Sequence, residues 1–543
     1  MDEVAPAAPA PLSHRSAALR AACLAALAAL AYAGSIGNGF TLDDHFAVVD
    51  NPAVNGALPL SSIVTRDFWG QKGLVGSYRP LAVATFRLDH VLGGGRASQF
   101  HATSVLLHAL AIAVAYLSLR GLAGETVALV AAALAAVWPA SAEAVQSIVG
   151  RADVLLALFA LLGLWLHRRP SRLSGVGAAA AFAAALGSKD SAALVPVVWV
   201  AVDLVVAGAP PLRKRIGRLI GYAAVFAVYL AGRTAALGAA TARDVDPVRN
   251  PLIGASYGAQ VLGAARIFAK QYATGMVDPL RRLYACSAPE CGAASGLDGW
   301  AWLGLGLLAG GVVLAVVLRR RAPVASAGLI WFGLLFLPAS NLLIVGPSVY
   351  AERLLYAPSF GLALAFAAGA VALAGRARPA LVYGALALLM MVNAAALQVR
   401  HADWHDDGSL FTSAVSVAPD SALVQVNAAG AALSRRDLPA AVQHAQAAVA
   451  LAPDFPEAMA VLGLSLERQG KLQEADAMLR RAFTAPRSGR GITIDYADFL
   501  IRRRRFADAA KVVESGLKRR QDSQMLREAL AKILEAERRA AGR

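Results

Sequence analysis

Two adjacent carboxylates, Asp43 and Asp44, follow the first long apolar run of the chain, in the stretch Gly39-Phe40-Thr41-Leu42-Asp43-Asp44-His45. Such a pair at the mouth of a membrane helix is costly unless it is well solvated or does chemistry. An aspartate in that position can take the proton of a hydroxyl acceptor as the oxygen attacks an electrophilic carbon. A free Asp titrates near 3.9, so a base of this kind needs partial desolvation to gain strength. Other polar residues gather at the ends of later apolar runs. They are Arg79 in Tyr78-Arg79-Pro80-Leu81, His101 and His108, Glu143, Arg151 and Asp153, Lys189 and Asp190, and Glu352 and Arg353. Cations at the same membrane face as the aspartates can hold a departing phosphate and offset its developing charge. The chemistry that such a set can perform is glycosyl transfer from a lipid-phosphate donor, with no metal and no cofactor required.

Each residue also has a plainer reading. The aspartate pair suits a solvated turn after a helix. Glu143 and Asp153 suit helix caps or ion-pair partners of Arg151, and Lys189 can snorkel at an interfacial turn beside Asp190. Glu352 and Arg353 can pair locally. His101 and His108, at i and i+7, share a helix face; without a third ligand their default is interfacial packing, not metal. The case for a site rests on the shared face.

That face is set by the apolar runs. Of 543 residues, 57% are hydrophobic and 16% charged, against about 25% charged in a soluble domain. The chain therefore reads as an all-α, polytopic membrane protein. Runs long enough, or nearly so, to span a bilayer fall at 17–35, 102–120, 126–142, 153–167, 174–189, 191–209, 217–236, 299–318, 323–345, 354–374 and 379–398, about eleven spans. The net charge of +16, from 52 Lys and Arg against 36 Asp and Glu, sits largely in short Arg clusters between these runs. It reads as topology and attraction to anionic lipid, not nucleic-acid binding. The clusters at 167–172, 213–218, 319–321 and 376–378, with Arg15 and Arg20, fall on one side, which the positive-inside rule makes cytoplasmic. The N-terminus is then cytoplasmic and reads as a retained signal anchor; the C-terminal part lies outside.

Two long loops face outward, 36–101 and 237–298. The first contains an amphipathic stretch, Ile63, Val64, Phe68 and Trp69, suited to the membrane surface. The second contains Cys286 and Cys291, two of three cysteines. If the loop faces an oxidising compartment, a small disulfide is preferred over a metal site, because no second ligand pair is nearby. Residues 1–400 form the membrane domain and 401–420 a linker. Beyond it, small residues recur in three windows of 34 residues, 421–454, 455–488 and 489–522, with a capping helix over 523–543. Ala429, Gly463 and Ala497 match, as do Ala441, Ala475 and Ala509, and Ala448, Ala482 and Gly516. That period is the tetratricopeptide pattern, an α-solenoid whose concave face suits extended peptide.

Several stretches together resemble the transmembrane O-mannosyltransferases that carry tetratricopeptide repeats. These are Gly39-Phe40 with Asp43-Asp44, Tyr78-Arg79-Pro80-Leu81, Phe100-His101 with Leu107-His108, the block from Trp138 through Glu143 to Asp153, and Ala351-Glu352-Arg353 through Ser359. The resemblance implies a GT-C fold and inverting transfer of mannose from a polyprenyl-phosphate donor to Ser or Thr of a protein. By it Asp43 or Asp44 is the base, with Asp43 favoured. Arg79, Arg151, Lys189 and Arg353 are the donor-phosphate candidates, supported by His101, His108, Glu143, Asp153, Asp190 and Glu352. This sequence departs from the pattern at Ala140 or Ser141, where His is common, at Asp190, where Glu is common, and in its short repeat array. Its Ala- and Arg-rich composition suggests a bacterial inner membrane and an undecaprenyl-type carrier. The alternatives are an enzyme of the same fold acting on a lipid-linked or surface glycan, and a non-catalytic scaffold whose repeats recruit partners.

Overall fold

A computed structural model describes residues 14–70, 76–238, 246–278, 286–288, 291–292, 298–519 and 524–540, and every regular element among them is a helix. Parts of the 237–298 loop, the end of the third repeat window and both ends of the expected 523–543 cap lie outside the described residues. Six helices there are long and apolar enough to cross a membrane: Arg15–Gly37, Ala97–Ala123, Leu212–Leu237, Gly299–Arg321, Glu352–Ala374 and Pro379–Asp403. A seventh is reached if Glu125–Ala136 and Pro139–Gln146, bent by 59°, count as one broken span. The bend falls at Trp138-Pro139, where the proline ring forces Trp138 into an extended conformation.

The remaining apolar runs form shorter helices, Arg151–His167, Arg172–Ser188, Val195–Val205 and Pro323–Phe336. Seventeen residues reach about 25 Å and eleven about 16 Å, short of a core about 30 Å thick. Arg151–His167 is apolar on all sides and nearly wholly buried, the signature of a central helix rather than a lipid-facing one. Six helices, or seven with the broken span, thus have the length and composition of full spans, and the other four of the eleven apolar runs form shorter helices. Close packing depends on small residues. A Cβ at Gly361 would stand 2.4 Å from the Gly328 carbonyl, so Pro323–Phe336 and Tyr356–Ala374 approach only because both positions are glycine.

The amphipathic stretch in the 36–101 loop departs in part from its expected place at the membrane surface: it begins as a four-residue helix, Ser62–Thr65, and Phe68 is fully buried against Phe86 and Val83, while Val64 is exposed. Cys286 and Cys291 form a disulfide.

The C-terminal region is a helix-repeat array. Helices starting at Ala422, Pro456 and Arg490 each pair with a second, starting at Leu438, Leu472 and Phe506, and Gln524–Ala540 packs on the last pair. Ala429, Ala441, Ala448, Ala475, Ala482, Ala497 and Ala509 are buried where helices cross. At Gly463 a Cβ would meet the Leu479 side chain at 2.7 Å. The array is mounted on the disulfide loop. Ser287 Oγ lies 2.8 Å from Ser421 Oγ and accepts from Leu423 N–H at 3.0 Å, and Ala422 N–H donates to the Ala288 carbonyl at 3.1 Å.

Candidate active site

The loop carrying Asp43 and Asp44 is held from both sides. Leu42 adopts a left-handed conformation, φ 51°, which a leucine takes only when its neighbours enforce it. The enforcement comes from beyond the last membrane helix. Asp407 accepts from Leu42 N–H at 2.8 Å and pairs with His45 Nε2 at 2.9 Å, while Gly39 N–H donates to the His405 carbonyl at 2.9 Å. The Asp407 partner holds the His45 pKa above its ordinary value. His101 adds a ring-nitrogen contact of 3.0 Å to the Gly39 carbonyl.

The two aspartates then part company. Asp44 is fully buried and accepts from Val149 N–H at 2.9 Å, Thr41 N–H at 3.2 Å and Ser147 Oγ at 3.5 Å. Burial pushes its pKa up to about 6 despite those donors, which favour the charged form. It pins the loop to the start of Arg151–His167. Asp43 is different: its side chain is 34% exposed, and Oδ2 lies 3.6 Å from Arg353 Nη2.

Arg353 is the hinge of the cluster. Its side chain also pairs with the fully buried Glu143, and its backbone N–H donates to Glu143 Oε2 at 2.8 Å. The bent Trp138–Gln146 segment and the residues before Tyr356–Ala374 are locked together by this carboxylate. Lys189 Nζ lies 2.5 Å from Asp153 Oδ1. Arg79, Lys189 and Arg353 are near enough for their like charges to interact, and Asp153 interacts with all three. Lys189 and Arg353 each have a carboxylate within ion-pairing distance. Arg79 makes no ion pair among the described residues; its guanidinium lies over the Phe68 ring at 4.8 Å, and its buried Nε has no hydrogen-bond partner. Burial lowers its pKa, so an anion brought beside it would relieve that penalty.

Three expected participants stand apart. Arg151 is fully buried, with an Asp89 ion pair at 2.6 Å and bonds to Ser104 Oγ, Thr85 Oγ1 and the Phe100 carbonyl. Those partners engage all three of its nitrogens, so the structure does not bring it into the Asp43 cluster. Glu352 pairs with Arg400 at 2.5 Å, and His108 lies 2.7 Å from the Tyr356 hydroxyl. Asp190 does join the cluster, but through residues the sequence did not single out. The Tyr229 hydroxyl lies 2.5 Å and Arg233 Nη1 3.1 Å from its Oδ1. Arg233 lies in the last turns of Leu212–Leu237, after a stretch from Leu219 to Gly232 with no charge, and a charge there is itself a signal. Asp407 carried no signal, since only the fold folds it back on Leu42. Among the described residues no group of three His, Cys, Asp or Glu side chains is placed to hold a metal ion.

Residues 79–231 match the family described as dolichyl-phosphate-mannose-protein mannosyltransferase. Protein O-mannosyl-transferase Tmtc1 of Drosophila melanogaster is 30% identical over 516 residues, covering 77% of this chain and 60% of that protein. The chain is a protein O-mannosyltransferase-like membrane protein with tetratricopeptide repeats. Protein O-mannosyl-transferase TMTC1 of Mus musculus is 43% identical over 162 residues, 27% of this chain and 17% of that one. This mannosyltransferase-like chain spans about 60% of the length of the Drosophila protein, which has further sequence with no counterpart in the match. ArnT from Cupriavidus metallidurans, in its crystal structure bound to undecaprenyl phosphate, superposes loosely, with a TM-score of 0.40 and 15% identity over 86% of this chain and 80% of that one. At that score the likeness carries no weight.

Proposed function

We propose that the protein is a GT-C glycosyltransferase that moves a sugar, mannose by the names of its relatives, from a polyprenyl-phosphate donor to Ser or Thr of a protein at the outer membrane face. The observation that carries this reading is the one-third-exposed Asp43 carboxylate 3.6 Å from Arg353, in a cluster with a buried Arg79 that makes no ion pair among the described residues. In the proposed step the acceptor oxygen attacks the anomeric carbon and the bond from that carbon to the phosphate oxygen breaks. The acceptor proton passes to Asp43, and the polyprenyl phosphate leaves with the bonding electrons. One displacement inverts the anomeric centre. Arg79 is the main phosphate ligand, with Arg353 and Lys189 adding positive charge; Glu143 and Asp153 hold those two in place. Asp44 is a positioning residue. The repeats present the acceptor, and the positive-inside orientation places them and Asp43 outside. A bacterial inner membrane is the proposed setting.

The test is in vitro transfer in membranes from a synthetic polyprenyl-phosphate mannose to a Ser/Thr peptide, read as peptide mass gain and released polyprenyl phosphate. Arg79→Gln should raise the donor KM at least tenfold while leaving the peptide KM unchanged. An unchanged donor KM with normal folding would remove Arg79 from the phosphate site. Truncation before Ser421 should abolish transfer to protein; glycan transfer that survives it would move the acceptor to a lipid-linked or surface glycan.

A further inference from the structure

A second site lies one membrane thickness from Asp43. Tyr356–Ala374 and Pro379–Asp403 are joined by a short turn, residues 375–378. Between them is an apolar cavity of about 630 Å³, lined by Phe366, Gly369 and Leu373 on one helix and Leu381, Ala385 and Leu389 on the other. A Cβ at Gly369 would meet nothing within 4 Å, so the space is open. The groove starts beside the turn and reaches Phe366, nine residues back, a depth of about 14 Å. That is about half of a core roughly 30 Å thick, the depth of one leaflet.

Arg376 and Arg378 lie in the turn that joins the two lining helices, three residues from Leu373 and Leu381 of the groove; both are exposed, and neither makes an ion pair among the described residues. The 19-residue helix Tyr356–Ala374 separates them from Glu352 and Arg353 by about 28 Å. The groove therefore opens to the leaflet opposite Asp43, which the positive-inside rule makes the cytoplasmic one. An apolar slot one leaflet deep, with two unpaired guanidinium groups at its rim, matches one ligand chemistry: an alkyl chain carrying an anionic phosphate headgroup. We propose that this groove is a binding site for an anionic phospholipid of the cytoplasmic leaflet. One acyl chain fills the slot and the phosphate rests on Arg376 and Arg378. The lipid braces the last two membrane helices, and Pro379–Asp403 leads directly into the Asp407 clasp on the aspartate loop. The inference does not depend on the proposed glycosyl transfer.

The full chain, reconstituted in nanodiscs of equal parts phosphatidylglycerol and phosphatidylcholine, is released and weighed by native mass spectrometry. The wild type should retain phosphatidylglycerol in preference to phosphatidylcholine. Arg376→Gln with Arg378→Gln should lower that preference roughly tenfold to thirtyfold. The Arg376→Lys, Arg378→Lys pair should keep most of it, which separates headgroup binding from a change in topology. Gly369→Phe with Ala385→Phe, filling the slot with the arginines intact, should reduce retention of both lipids. Equal retention of the two lipids by the wild type, or no effect of filling the slot, would overturn the proposal. With a polyprenyl phosphate added to the same nanodiscs, its retention in preference to phosphatidylglycerol would overturn the choice of a phospholipid.

Discussion

Replacing the two aspartates one at a time should produce opposite phenotypes. Asp44→Ala removes a buried acceptor and leaves the Val149 and Thr41 N–H groups without their partner, at distances of 2.9 and 3.2 Å in the native loop. Each buried donor left unmade costs about 1–3 kcal/mol, so the two cost about 2–6 kcal/mol, offset in part because a carboxylate so deeply buried is itself strained in its charged form. Asp43→Asn should be nearly silent in stability. Its contact with Arg353 is 3.6 Å long and partly exposed, worth about 0–1 kcal/mol. Under the proposed step its effect on rate is the reverse, since losing a general base typically costs about 10²–10⁴-fold. Thermal unfolding in detergent gives the first quantity, and single-turnover mannosyl transfer from a polyprenyl-phosphate donor gives the second. The reasoning is refuted if Asp43→Asn stays active while Asp44→Asn, folded and equally stable, is inactive. Asp44 would then be the base.

Asp89→Asn should destabilise the protein by about 3–5 kcal/mol, because it leaves Arg151 buried without its countercharge; unfolding midpoints and yield of folded protein report it. Cys286→Ser with Cys291→Ser frees the loop on which the repeats are mounted. The loss is about 2 kcal/mol for so short a loop, and hydrogen exchange should rise at Ser421–Val424, while unchanged protection there would show the mount to be self-supporting. The His45–Asp407 pair should make stability pH-dependent. His45 has a raised pKa in the folded state, so its contribution is full below about 6.5 and is lost as pH rises through the higher folded value. Wild type and His45→Gln should therefore converge in melting temperature above neutrality, and a gap that widens instead would contradict the sign.

Much of this protein is legible in its amino-acid sequence, because the governing forces are local. Apolar runs declare membrane helices, since an unpaired backbone cannot face lipid. A 34-residue recurrence of Ala and Gly declares paired repeat helices, since only small residues let their backbones approach. Polar residues at helix ends on one face, from Asp43 to Arg353, mark the region where the cluster forms. What such patterns do not carry is the division of labour among those residues. Asp43 and Asp44 are neighbours of identical type, yet Val149 N–H, more than a hundred residues away, captures one and leaves the other beside Arg353. Arg151 and Arg79 look alike as cations at apolar-run ends. Asp89 satisfies the first, and the second stands over Phe68 with no carboxylate paired to it among the described residues. The count of full spans also needed the packing, because a 17-residue run reads the same in lipid as in a protein core. Helix type and membrane residence follow from side-chain transfer energies and spacing, which the sequence by itself determined. Which charge is neutralised and which stands without a carboxylate among the described residues depends on distances between remote segments, and only the tertiary structure decided it.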